Sequence, residues 1–188
     1  MKHFLITTLT IASLSTVAFA QQEPKAKVLA APEDPRQKTV LVGRSEESGM
    51  IVQFEIEPAK AMLMGAPSKQ VAHTPAAGEV YHVEMKPTDP RSKTRISYAH
   101  AIFEATNTES GKSMKGELHP MWGSSGLHYA MNSALLGDGA YAAVITVHAP
   151  TFGRAINDKD LFAVPAVAKF HFKLKDGALT EVSEPLPN

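Results

Sequence analysis

From Met50 onward the chain alternates. In MIVQFEIEP (50–58), Val52, Phe54 and Ile56 interleave with Ile51, Gln53 and Glu55. A period of two places successive side chains on opposite faces of a strand. EVYHVEMK (79–86) repeats the pattern, with Tyr81, Val83 and Met85 on one side and His82 and Glu84 on the other. RISYAHAIFEATN (95–107), SMKGELHPM, LHYAMNSALL, GAYAAVITVHAP (139–150) and AVAKFHFKLK (166–175) complete a set of seven strand candidates. The turn signals TESGK, GSSG, GDGA and KDG separate them. No stretch carries a helical stripe; AKAMLMGA (59–66) is stopped by Gly65 and Pro67. Short strands at regular spacing predict an all-β fold, an immunoglobulin-like β-sandwich of about seven or more strands. A Cys–Trp–Cys set is missing, so the expectation is the sandwich architecture without the immunoglobulin disulfide.

The first residues do not fit this pattern. MKHFLITTLTIASLSTVAFA (1–20) has an early Lys, an apolar run and a closing Ala18-Phe19-Ala20. That is the form of a cleaved signal peptide, and its apolar run is shorter than the ~20 residues of a membrane span. The mature chain is then expected to start at Gln21, in the periplasm. Residues 21–48 are rich in Pro, Gln and charge and read as a loosely ordered N-terminal arm. Residues 49–188 form the single expected domain, long enough to bury a core. No cysteine is present, so packing alone holds the fold and any soft metal ligand has to be methionine. Nineteen basic and nineteen acidic residues cancel, which leaves no basic stripe for nucleic acid.

Chemistry concentrates in two places. His82 and Glu84 share a strand face about 7 Å apart, able to ligate one divalent ion or simply to face water. LHPMWGSSGLHYAMN (118–132) folds back on itself at GSSG. If its two halves pair, Met121 and His128 converge at one end of the sandwich, a thioether beside a borderline nitrogen. Pro120 marks an irregular or edge position. His148, at the end of its strand, could approach the same place. The nucleophile elbow, H-E-x-x-H, P-loop and dinucleotide fingerprints are all missing, and the chain reads as no enzyme.

These residues resemble the periplasmic ferrous-iron transport proteins of the Tpd type, from Gly49 to the C-terminus. GMIVQFEIEPA is similar to that family's first strand, YHVEM to its His-x-Glu strand, MWGSSGLHYAMN to its Met–turn–Gly-x-His-Tyr-x-x-Asn segment, and VHAP to a proline-ended strand. The resemblance implies a dimeric β-sandwich that binds copper or iron and accompanies an inner-membrane iron permease. It also implies His82, Glu84, Met121 and His128 as the metal ligands. One departure is visible: where the family carries a histidine after Gly-Arg, TFGRAINDKD has Ala155, and His148 is the nearest candidate replacement. A copper carrier or detoxifying chaperone, and an adhesion or assembly module with inert histidines, are the competing readings.

Overall fold

A computed structural model describes residues 24–184 and Leu186; the expected leader lies outside them. Twelve strands are present among the described residues: β1 (Ala26–Glu33), β2 (Val40–Glu47), β3 (Met50–Pro58), β4 (Met62–Met64), β5 (Val71–His73), β6 (Tyr81–Thr88), β7 (Ala101–Asn107), β8 (Ser113–Gly123), β9 (Gly126–Ser133), β10 (Gly139–Val147), β11 (Ala166–Lys175) and β12 (Ala178–Ser183). All seven expected strands are among them, the expected strand 95–107 being reduced to Ala101–Asn107. Ten strands form one antiparallel sheet in the order β1-β12-β11-β10-β7-β8-β9-β6-β3-β2, and β4 and β5 form a separate two-stranded ribbon.

The long sheet folds over on itself into two facing halves. The hinge is β8: Ser113–Leu118 pairs with β7, and His119–Gly123 pairs with β9. Pro120 sits just past the change of partner, where a residue without an N–H costs the ladder least. The halves meet through aromatic rings. Phe54 of β3 lies 5.6 Å from Phe103 of β7 and 5.3 Å from Phe170 of β11, centroid to centroid. The inward positions of the alternating strands, among them Val52, Ile56, Val83, Met85, Ile145 and Phe172, are all buried. Burying one such side chain contributes about 1.5–3 kcal/mol. On its open side the sheet nearly closes: a Cβ on Gly43 of β2 would stand 2.9 Å from both Phe170 and Ser183. Only glycine lets β2 approach β11 and β12 so closely.

The expectation of a loose arm at 21–48 is corrected, since that segment holds β1 and β2. β1 pairs with β12 and β2 with β3. Val40 and Val42 enter the core. Among the described residues, Lys25, Lys27, Arg36, Gln37, Lys38 and Glu46 are exposed, and β1 is held by backbone pairing with little apolar burial of its own.

Candidate metal centre

The polar face of β6 is covered. His82 is 1% exposed and Glu84 2%, so the alternative in which this pair faces water is set aside. The covering follows from register. Glu57 of β3, His82 of β6 and Asn132 of β9 form one cross-strand row; Glu55, Glu84 and Ala130 form the next. Ala130 is the small member, leaving room beside Glu84 that a longer side chain would fill.

Each histidine is held through Nδ1, and the hydrogen-bond chemistry fixes its tautomer. Asn132 accepts from the Lys60 N–H through Oδ1 (3.2 Å) and donates to the Lys60 carbonyl through Nδ2 (2.8 Å). That pair of backbone contacts orients the amide, so its Oδ1, 2.9 Å from His82 Nδ1, can only accept. His82 therefore carries its proton on Nδ1. His128 Nδ1 lies 2.9 Å from the Gly126 carbonyl, which also can only accept. In the neutral ring both Nε2 atoms then hold a free lone pair, the arrangement found in metal-ligating histidines. The His82 and His128 rings stand 6.3 Å apart, edge to face. His128 Nε2 is 3.8 Å from Glu84 Oε2. One ligand atom from each of His82, Glu84 and His128 can be chosen so that all lie within 4.8 Å of one another.

Met121 is the register partner of His128 across the β8–β9 hairpin. Directly opposite residues share a face with their Cβ atoms about 4.5–5.5 Å apart, so the Met121 side chain leaves the hairpin on the His128 side, at a half-buried position. The hairpin turn is built for this. Gly126 adopts φ +81°, and Gly123 has no Cβ because one would stand 3.2 Å from His128 Cε1. Ser125 at the tip donates to Glu84 Oε1 at 3.2 Å.

A buried charge network surrounds Glu84. Lys86 is paired with Glu84 Oε1 (2.8 Å) and with Glu55. Lys60 is paired with Glu57, which also accepts from Thr39 at 3.0 Å. Burial raises the Glu84 carboxyl above the usual carboxylate range, and its hydrogen bond with Glu57 adds to the rise against the pull of Lys86. Burial would also raise Glu57, but hydrogen bonds from Glu84, Lys60 and Thr39 hold it below the ordinary value. A hydrogen bond between two carboxylates needs one proton, and of the two Glu84 is the one that binds it more tightly. Three carboxylates face two ammonium groups, so ionising Glu84 leaves one excess negative charge. Burial lowers His82, which favours the neutral, ligating form.

Glu55, Glu57, Lys86 and Asn132 did not emerge as site residues from the sequence. Glu55 and Glu57 had a signal, alternating on one face of MIVQFEIEP, but it does not show which strand they oppose. His148 is also corrected as a replacement ligand: its ring stacks on His100, with centroids 5.1 Å apart, in the other half of the sheet. Ala155 is exposed in the loop after β10 and supplies no donor. That loop is stapled by Arg154, whose guanidinium donates to the carbonyls of Leu161 (2.6 Å), Pro150 (3.1 Å) and Phe162 (3.0 Å).

Comparison with known proteins agrees with the fold. The model of the Fe2+ transport protein family matches residues 46–161. No curated protein matches the sequence. FetP of uropathogenic E. coli is similar in structure at 20% identity with a TM-score of 0.61, covering 73% of this chain and 96% of FetP. A copper-bound variant of P19 from Campylobacter jejuni superposes with a TM-score of 0.56 at 21% identity, covering 73% of this chain and 98% of P19.

Proposed function

Since the chain belongs to the Fe2+ transport protein family, we propose that it is a periplasmic metal-binding protein serving ferrous-iron uptake. Its site holds a copper or iron ion through His82, Glu84 and His128, with Met121 as the thioether ligand. The observation that carries this reading is the pair of buried histidines, each held at Nδ1 and each with a ring nitrogen within 4.8 Å of a Glu84 oxygen, His128 through Nε2 at 3.8 Å. Two imidazoles and a thioether suit copper, and the carboxylate widens the site toward iron. The excess negative charge of an ionised Glu84 supplies what a cation neutralises. Copper-bound P19 and FetP structures support the same reading. A dimer and an inner-membrane iron permease are the partners it implies. Export is part of the reading too: intact mass of the native periplasmic protein is expected to begin at Gln21, and retention of residues 1–20 refutes it.

The test is an anaerobic titration of the metal-free protein with Cu(I), Cu(II) and Fe(II), alone and in competition. One ion bound at this centre, lost in His128→Ala, is the expected result. Copper binding with no measurable Fe(II) binding favours the copper-carrier reading, in which the two imidazoles and Met121 dominate. Absence of binding for every ion leaves the histidines inert and refutes both.

A further inference from the structure

A second cluster lies outside the centre just described. The register pairs Ala101 of β7 with Leu118 of β8 and with Val147 of β10. One residue further along each strand stand His100, His119 and His148. The ladder continues there, since the His148 N–H donates to the His100 carbonyl at 2.8 Å. The topology thus sets His100 and His148 side by side across β7 and β10, with His119 at the first position where β8 leaves β7 for β9. The His100 and His148 rings stack with an interplanar angle of 25°. Glu117 precedes His119 by two residues and shares its face. Its Oε1 lies 3.6 Å from His100 Nε2 and 3.9 Å from His119 Nδ1. The side chains of His100, Glu117 and His119 are 46–53% exposed.

We propose that His100, Glu117 and His119, flanked by His148, form a second, solvent-facing metal site that takes a divalent ion of borderline character such as Cu(II) or Zn(II). Ligand atoms about 2.0–2.1 Å from a shared ion are about 3–4 Å from each other. The Glu117 oxygen already stands at that separation from a nitrogen of each of two imidazoles. Rotation of the half-exposed Glu117 and His119 side chains closes the remaining gap between the two rings. The donor set also distinguishes the sites. The outer cluster has imidazole and carboxylate without thioether, so it selects against soft Cu(I) and for Cu(II) or Zn(II). The inner centre includes Met121. The two sites share β8: His119 precedes Met121 by two residues, about 7 Å along the strand.

Cu(II), which binds such donors most tightly among first-row divalent ions, is the probe. The metal-free full chain, without an affinity tag, is titrated by calorimetry and its bound ions are counted by native mass spectrometry. Two ions per chain are expected. The double variant His100→Ala/His119→Ala is expected to bind one, still lost on adding His128→Ala. His128→Ala alone is expected to bind one, at the outer site. A double variant that binds as many ions as the wild type overturns the proposal. If His128→Ala still binds two ions while the double variant binds one, the inner reading fails and the outer site stands. Circular dichroism checks that the variants fold, and Glu117→Gln is the milder substitution, expected to weaken the outer site while leaving the inner one at full affinity. An outer site unchanged by Glu117→Gln also overturns it.

Discussion

A histidine becomes a ligand when something else holds its proton. For His82 that role falls to Asn132, itself oriented by both backbone groups of Lys60. Asn132→Ala frees the ring to change tautomer, and metal affinity is expected to fall about 10–100-fold with the fold intact; isothermal titration reads this directly. Glu84 gives a second expectation. Burial and Glu57 raise its carboxyl, and a cation beside it favours the carboxylate, so binding at a pH where Glu84 is protonated releases a proton. Calorimetry in buffers of different ionisation enthalpy should show this release, and Glu57→Gln should reduce it. The two titrating groups also act on stability with opposite signs. Glu84 is raised on folding, so its contribution is present at acid pH and lost as pH rises through its folded value. His82 is lowered from 6.5, so its contribution is present above that value and lost as pH falls through its folded one. The stability difference between the metal-free wild type and His82→Gln should therefore shift against the wild type below pH 6.5, as thermal melts across that range would show. At this scale the sequence showed that His82 and Glu84 share a face, because period two is a local property. It did not show that the face is buried, because Glu57, Asn132 and Lys86 reach it by pairing between strands.

The hairpin of β8 and β9 sets the distance between Met121, His128 and Glu84, and it does so with glycines. Gly123→Ala places a methyl 3.2 Å from His128 Cε1. The ring has to yield by a few tenths of an ångström, so weaker metal binding is expected at nearly unchanged thermal stability. Equal losses in both would mean that the substitution disturbs the turn as a whole. In the core the ranking reverses. Phe54 touches rings from β7 and β11, and Phe54→Ala should cost about 3–5 kcal/mol, read from a denaturant midpoint. The element pattern explains which strands were readable. Strands with one apolar and one polar face, such as MIVQFEIEP, announce themselves. β1 does not, because most of its side chains are exposed on both faces and it owes its place to backbone pairing with β12. The ribbon of β4 and β5 escaped for a different reason, three residues per strand being too few for a period to register.

Over the whole molecule, the ribbon of β4 and β5 stands outside the main sheet with Leu63 64% and Val71 68% exposed. If the proposed dimer uses this ribbon, Leu63→Lys/Val71→Lys should give a monomer in analytical ultracentrifugation, and an unchanged dimer mass would place the interface elsewhere. The sandwich itself was readable from the spacing of strands and turns. Its closure was not, because that depends on Gly43 meeting Phe170 and Ser183, residues far apart in the chain. The hinge strand β8 has a mechanical consequence. A sandwich of two independent sheets has a seam along which its layers can shear or separate one at a time. Here a continuous backbone ladder crosses from one half to the other through β8, so neither half can peel away without breaking it. Opening on one side is transmitted as tension to the other. The molecule should melt in a single calorimetric transition, and amides of β7, in the half away from the centre, should exchange more slowly when the inner ion is bound.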